Sequence, residues 1–98
     1  MVRVLLTPAA KADLVDAVAW YDARAPEIAP QFLETVRAGL PRIAENPKQF
    51  PPSAFQTRRA LLRRFPYLVI FRERGDAAYV VAIFHSSRDP RVWRQRTT

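Results

Sequence analysis

Residues 58–96 decide the fold, and they read RRALLRRFPYLVIFRERGDAAYVVAIFHSSRDPRVWRQR. Two short apolar runs within them, residues 68–71 and 79–84, are rich in β-branched and aromatic side chains. Each run is bounded by charged or turn residues, a pattern typical of buried strands rather than helices. Gly75-Asp76 between the two runs predicts a tight hairpin turn. The second half of the chain is therefore predicted to form a sheet.

The positive charge of the chain is concentrated on the same residues. Residues 58–96 contain ten arginines against Glu73, Asp76 and Asp89, a net charge of +7, whereas residues 1–57 carry six bases and six acids. Fourteen of the sixteen bases are arginine, which favours bidentate contacts with phosphate or carboxylate, although a GC-rich genome gives the same bias. Because clustered charge of one sign attracts the opposite sign, we expect a polyanionic partner, either nucleic acid or an acidic protein segment.

Length and composition exclude several classes of protein. A chain of 98 residues fits a single domain, residues 1–98. Without cysteine there is no disulfide framework or thiolate nucleophile, and one histidine argues against a zinc site. Two glycines offer no phosphate-binding loop, so neither ATP nor a dinucleotide is expected, and we expect no cofactor. No apolar run reaches the ~20 residues of a membrane span and no signal-peptide pattern is present, which favours a cytoplasmic protein.

The first 24 residues are predicted to form one strand followed by one helix. Residues 2–6 are an apolar segment expected to form the first strand. Thr7-Pro8 then supplies a capping hydroxyl followed by proline at the first helical position, so a helix is predicted over residues 8–24. Asp13 and Asp16 are assigned to its solvent side, where the helix dipole favours acids. Its buried face is predicted to consist of Leu14, Ala17, Val18 and Tyr21.

A second helix follows the break at Ala25-Pro26. Its apolar positions are Phe32, Val36, Leu40 and Ile43, and it is predicted to end near Glu45, before Asn46-Pro47. Its start is open, because Pro26 and Pro30 both suit a first turn. Pro41 is expected to kink the last turn. The short gap between the helices predicts a helical hairpin.

The remaining segments complete the predicted sheet. Residues 47–57 are interpreted as an ordered loop with Phe50 and Phe55 against the core. Residues 58–64 form a charged edge strand, Phe65-Pro66 a turn, and residues 67–73 and 78–84 the hairpin strands, the last of them central. Asp89-Pro90 begins a short helix, residues 90–96, on which Trp93 packs back against the core.

The predicted fold class is therefore α+β with the order βααβββα. The helical hairpin covers one face of a small, mainly antiparallel sheet, and the short C-terminal helix follows the last strand. The opposite face, or its rim, is then expected to display the arginines.

The chain resembles the RelE/ParE superfamily of toxins from bacterial toxin–antitoxin systems. The resemblance is carried by Asp13-Leu14 with Trp20-Tyr21, by Ala29 with Phe32, by Asn46-Pro47, by residues 64–71 (RFPYLVIF), and by residues 85–90 (HSSRDP) with Trp93 and Arg96. It implies the fold described above. It also implies a growth-inhibiting toxin that is neutralised by a cognate antitoxin, whose C-terminal segment wraps the toxin in an oligomeric complex.

The resemblance leaves two branches. RelE-like members cut mRNA on the ribosome, whereas ParE-like members lack the nuclease residues and poison DNA gyrase. At the position of one nuclease arginine this chain has Tyr67, the second is matched by Arg88, and the C-terminal tyrosine of some nucleases is absent. These departures favour the ParE-like branch, which is linked to plasmid stabilization and gyrase inhibition, and they argue against an enzymatic activity.

Candidate site residues follow from these alternatives. If the chain is a nuclease, His85 is the natural acid–base group and Arg88 binds the phosphate. The alternative for His85 is a structural histidine that hydrogen-bonds its turn. The alternative for Arg88 is an ion pair with Asp89. Tyr67 is interpreted as a structural residue of the sheet rather than as a catalytic residue. A third hypothesis is a basic nucleic-acid-binding module without toxicity. The residues expected to bind a target or partner are Arg58, Arg63, Arg64, Tyr67, Arg72, Arg88, Arg91 and Arg94. Apolar surface is expected beside these arginines, where an antitoxin adds a strand or docks a helix.

Overall fold

A computed structural model of the chain describes residues 1–96. Seven helices and strands follow the predicted order βααβββα, which is confirmed. Two short 3-10 helices, Pro47–Gln49 and Ala54–Gln56, lie in the segment interpreted as a loop. The seven main elements are β1 (Arg3–Leu6), α1 (Pro8–Arg24), α2 (Ala29–Glu45), β2 (Arg58–Leu61), β3 (Tyr67–Arg74), β4 (Ala77–His85) and α3 (Arg91–Arg94).

The four strands form one mixed sheet in the order β1-β4-β3-β2. β4 pairs with β1 in parallel and with β3 antiparallel, and β2 pairs antiparallel with β3. β4 is therefore central, as its uninterrupted apolar run predicts. Ile70 pairs with Ala82 while Phe71 pairs with Val80, so Val81 is an extra residue in β4, a β-bulge.

Both faces of the sheet are packed. The helices cover one face, where Phe32, Val36 and Ile43 of α2 are almost fully buried with Val69 and Phe71 of the sheet. The second face carries its own apolar cluster of Ile70, Val81, Ala82, Phe84 and Trp93. The expectation that this second face displays the arginines is thus wrong over its centre, because Trp93 of α3 covers it. The prediction that Trp93 packs back is confirmed.

The ends of the two long helices follow from local chemistry. Thr7 caps α1, since its hydroxyl accepts a hydrogen bond of 3.2 Å from the backbone N–H of Ala10. α2 begins at Ala29 with Pro30 in its first turn, which decides between the two prolines. Pro41 lies inside α2, and the helix continues to Glu45 because the buried Ile43 anchors the last turn in the core.

Two expectations for the segment before β3 are wrong. Phe55 is 46% exposed rather than buried, because Thr57 folds back onto the carbonyl of Ala54 and gives Phe55 and Gln56 positive φ angles of 57° and 60°. β2 ends at Leu61 rather than at residue 64, because Arg64 adopts φ 68° and turns the chain toward β3. Arg63 and Arg64 therefore lie beyond the end of β2, where the alternation of side chains along a strand does not apply.

Candidate functional site

An apolar groove of about 690 Å³ lies between α2 and β2. Its floor is formed by buried side chains such as Ile43, Phe50 and Leu62, and Gly39 lies in its helical wall. Leu61 stands at its edge with 63% of its surface exposed, so it extends the apolar surface of the groove to the solvent. We call this surface, with the arginines that line it, the apolar groove. The arginines are Arg42, Arg63 and Arg64, and Glu34 is the acid among them.

The backbone of β2 beside the groove has an unpaired edge. The N–H of Leu62 points inward and donates to the carbonyl of Tyr67, whereas the N–H of Arg59 points outward and donates to the carbonyl of Pro51. Because successive residues of a strand alternate, the N–H and C=O of Leu61 point outward. Leu61 lies opposite Leu68 in the register of β2 and β3, next to the hydrogen-bonded pair of Leu62 and Tyr67, and within residues 1–96 no other backbone group bonds its outward N–H or C=O. A partner strand could therefore pair with Leu61 and insert alternate side chains into the groove.

Gly39 provides a test of the groove wall. A Cβ at this position would lie 3.7 Å from Cδ2 of Leu62, an ordinary van der Waals distance. Gly39→Ala is therefore expected to stabilise α2 by about 0.5–1 kcal/mol, since alanine restricts the unfolded chain more than glycine does. Urea denaturation measures the change. A loss of stability would contradict the space that the groove offers at Gly39.

A second depression, which we call the polar cleft, lies between α1 and the ends of β3 and β4. Its cavity volume is about 430 Å³. On the α1 side it is lined by Asp16, Trp20 and Tyr21. Trp20 is half-exposed, and the guanidinium of Arg24 lies 4.3 Å from its ring centre. The side chains from the sheet and the following turn are Tyr67, Ile83, His85, Ser87 and Arg88. Three sequence-predicted residues, Tyr67, His85 and Arg88, are thus brought together.

His85 is held by its own turn. Its Nδ1 accepts a hydrogen bond of 3.1 Å from the N–H of Ser87 and lies 2.7 Å from the hydroxyl oxygen of the same serine. Because a backbone N–H can only donate, Nδ1 must be unprotonated and the neutral ring carries its proton on Nε2. In this form the ring can donate to a ligand through Nε2, but that nitrogen cannot take a proton. The geometry matches the interpretation of His85 as a histidine that hydrogen-bonds the turn.

Tyr67 pairs with His85 across the two strands, and their ring centres are 5.1 Å apart. Burial raises the pKa of Tyr67 above its ordinary value, the nearby Tyr21 raises it further, and Arg88 opposes the shift. The hydroxyl of Tyr67 therefore keeps its proton at neutral pH and is available to donate a hydrogen bond to a partner. The cleft thus offers neutral donors and the cation of Arg88, together with the carboxylates of Asp13 and Asp16.

Arg88 lines the cleft and is not paired with Asp89, the partner that the sequence offers. The carboxylate of Asp89 binds Arg91 at 2.6 Å, and these hydrogen bonds lower the pKa of Asp89. The exposed Arg88 forms no ion pair with any described residue. It can therefore contact an anionic or polar group of a partner.

The other predicted binding arginines are spread over the molecule. Arg58 faces the helix side, where it bonds the carboxylate of Glu73 at 3.4 Å and the carbonyl of Phe50 at 2.8 Å. Arg72 on the opposite face donates to the carbonyl of Phe55, and Arg94 lies 5.8 Å from the ring centre of Trp93. The eight predicted residues therefore do not form one surface. Arg63 and Arg64 belong to the apolar groove, and Tyr67 and Arg88 to the polar cleft.

Comparison with known proteins adds to this geometry. A family model described as the ParE toxin of the type II toxin–antitoxin system parDE matches residues 4–90. The chain belongs to the ParE toxin family. A solved structure, described as the chromosomal ParDE toxin–antitoxin system from P. aeruginosa, is similar to it with a TM-score of 0.78 and 22% identity, over 87% of this chain and 96% of that chain. That likeness supports the ParE fold. No curated protein matches the sequence significantly.

Sequence reasoning missed two features of this ParE-family chain. The first is the location of the apolar groove. The sequence predicts apolar surface beside the arginines, but the groove depends on residues of α2 and β2 that are distant in sequence, and its local signal is the Leu61-Leu62 pair between arginines. The second feature is Asp13, which was assigned to the solvent side. It is instead partly buried, because it accepts from the backbone N–H of Ile83 at 3.0 Å.

Other site types find no candidate among the residues that the structure describes. In residues 1–96 no three histidine, aspartate or glutamate side chains are grouped so that they could hold a metal ion. No helix in the same range is both long and apolar enough to cross a bilayer.

Proposed function

We propose that this ParE-family toxin inhibits growth by poisoning DNA gyrase in the cytoplasm, and that a cognate antitoxin neutralises it. The observation that carries the choice of target is the polar cleft. A nuclease needs a base and cations on the scissile phosphate, yet Tyr67 occupies the position of a nuclease arginine and Nδ1 of His85 is engaged by Ser87. These features support a protein ligand rather than a ribonuclease.

The apolar groove supports the antitoxin half of the proposal. Leu61, the unpaired backbone edge of β2 and the buried floor suit an extended segment with apolar side chains at alternate positions. The bordering Arg63 and Arg64, together with a net charge of +7, favour acidic residues in that segment. Binding there would cover the exposed apolar surface of the toxin and form a toxin–antitoxin complex.

One observation favours the alternative of a ribosome-dependent mRNA endoribonuclease. Arg88 and His85 line the same cleft, so a phosphate bound there could contact a cation and the Nε2–H donor together.

Expression of the toxin in a bacterial host separates the two targets. Gyrase poisoning predicts DNA breaks and filamentation while protein synthesis continues, whereas a nuclease predicts rapid loss of protein synthesis with cleaved messages.

Two substitutions in the cleft are expected to differ in effect. Arg88→Ala should lower toxicity at least about tenfold, since loss of one charged contact with a partner commonly exceeds 1.4 kcal/mol. His85→Asn keeps an acceptor for the N–H of Ser87 but removes the ring, so toxicity should be unchanged if gyrase is the target. Toxicity is measured as surviving colonies after induction.

The control for Arg88→Ala is Arg37→Ala, because Arg37 is exposed on α2 and lines neither the apolar groove nor the polar cleft. Equal loss in both variants would indicate a general charge effect and contradict a role for Arg88. A loss of toxicity in His85→Asn, accompanied by cleaved messages in the parent toxin, would favour the nuclease.

A further inference from the structure

Asp13 and Arg96 form an ion pair between residues at opposite ends of the sequence. Nη1 of Arg96 lies 2.7 Å from Oδ2 of Asp13, and Nη2 lies 3.1 Å from Oδ1, so the pair is bidentate. The side chain of Arg96 is 28% exposed and that of Asp13 is 19% exposed. Such paired and partly buried hydrogen bonds are stronger than an exposed ion pair.

The same two side chains bind the backbone of β4. β1 ends at Leu6, and the last residue of β4 that it pairs with is Val80. Beyond this point Arg96 donates to the carbonyl of Val81 at 3.0 Å, and Asp13 accepts from the N–H of Ile83 at 3.0 Å. Asp13 and Arg96 therefore take the place of a neighbouring strand next to the β-bulge.

This arrangement fixes the segment of residues 86–96 relative to α1. Within residues 1–96, the hydrogen bonds of its middle part are local turns, such as those from Arg88 to His85 and from Val92 to Asp89. At the far end of the segment, the buried Trp93 and the ion pair of Arg96 with Asp13 connect it to the body of the protein. The hydrogen bond with Asp13 raises the pKa of Arg96, in agreement with a tight contact.

The segment also supplies one wall of the polar cleft. Arg88 and Ser87 come from it, whereas Asp13 and Ile83, which are joined by a hydrogen bond, lie on the facing side. The position of Arg88 relative to Tyr67 and Trp20 therefore depends on how residues 86–96 are held against α1 and β4.

We propose that Asp13 and Arg96 are positioning residues, which hold residues 86–96 so that Arg88 faces the polar cleft in the orientation that the toxin's target contacts. This inference rests on the proposed function, because the role that it assigns to the pair in toxicity acts through the position of Arg88. Asp13 connects α1, β4 and the C-terminal segment at one carboxylate. As in the proposed function, the partner is a protein target that contacts the polar cleft.

Hydrogen exchange of the purified toxin tests the structural step. Arg96→Ala removes both hydrogen bonds to Asp13 and the bond to Val81, while the buried Trp93 remains. Amides of residues 86–96 should exchange at least about tenfold faster than in the parent protein, since the segment opens locally without unfolding the sheet. Asp13→Asn, which keeps an acceptor for Ile83 but loses the ion pair, should accelerate exchange in the same peptide. The matched control is Asp22→Asn, an exposed acid of the same helix. Unchanged exchange in Arg96→Ala overturns the proposal.

Toxicity in cells tests the functional step. Arg96→Ala and Asp13→Asn should each lower toxicity at least about tenfold at equal protein level, and Arg96→Lys, which keeps the charge without the bidentate geometry, should have an intermediate effect. Faster exchange with full toxicity would show a purely structural pair and overturn the positioning role. If the parent protein is not toxic, the proposed function fails, and the exchange measurement still decides whether the pair holds the segment.

Discussion

Replacing Leu61 by aspartate is expected to weaken binding of the antitoxin at least about 30-fold, which corresponds to ~2 kcal/mol. Leu61 is 63% exposed at the edge of the apolar groove, and a partner that covers it would bury a leucine side chain. Burial of this size contributes ~1.5–3 kcal/mol, and the added carboxylate would also repel an acidic antitoxin segment. Isothermal titration with the purified antitoxin measures the loss, and co-expression should then fail to restore growth.

Val15→Asp is the matched control for this variant. Val15 is also an exposed apolar residue, at 66%, but it lies on α1 and does not line the groove. Both changes are at the surface, so each should alter the stability of the free toxin by less than about 1 kcal/mol. If Val15→Asp weakens binding as much as Leu61→Asp, or if Leu61→Asp binds normally, the antitoxin does not occupy the groove.

The order of elements could be predicted because its signals are local. Thr7-Pro8 sets the start of α1 through one hydroxyl, and the two apolar runs around Gly75-Asp76 specify the hairpin of β3 and β4. Each of these signals acts over a few residues and needs no knowledge of the rest of the chain. The family resemblance added the pairing with an antitoxin, which no local pattern contains.

The candidate site could be predicted only in part, because it depends on contacts between distant residues. His85 and Arg88 follow β4 directly, so their proximity is evident from the sequence, and Tyr67 joins them through the strand register. Asp13 was misassigned because the period of α1 is satisfied whether its carboxylate faces water or the backbone of Ile83. Only the end of β1 at Leu6, which leaves the edge of β4 uncovered, decides between the two.

Arginine counts were misleading for a similar physical reason. A guanidinium can stabilise the fold as readily as it binds a partner, and the sequence does not distinguish these roles. Arg58, Arg91 and Arg96 each bind a carboxylate within the chain. Of the arginines predicted to bind a partner, only Arg63, Arg64 and Arg88 line the groove or the cleft.

Phe32→Ala should destabilise the protein by ~3–5 kcal/mol, the largest effect that we expect from a single core substitution. Phe32 is fully buried, and its ring centre lies 5.1 Å from Tyr21, 5.2 Å from Phe65 and 4.9 Å from Tyr67. Alanine would leave a cavity in this aromatic cluster and remove contacts that contribute ~0.5–1.5 kcal/mol per pair beyond burial. A domain of this length has a total free energy of unfolding of roughly 5–15 kcal/mol, so a large share would be lost.

Phe55→Ala makes the same chemical change at a residue that is 46% exposed, and it should cost less than about 1 kcal/mol. Thermal unfolding followed by circular dichroism should show a melting temperature lowered by ~12–40 °C for Phe32→Ala and by at most a few degrees for Phe55→Ala. Equal effects would contradict the assignment of Phe32 to the core and Phe55 to the surface. Because Phe32 supports Tyr21 and Tyr67, which both line the polar cleft, its loss should also abolish toxicity through the shape of the cleft, although Phe32 itself contacts no target.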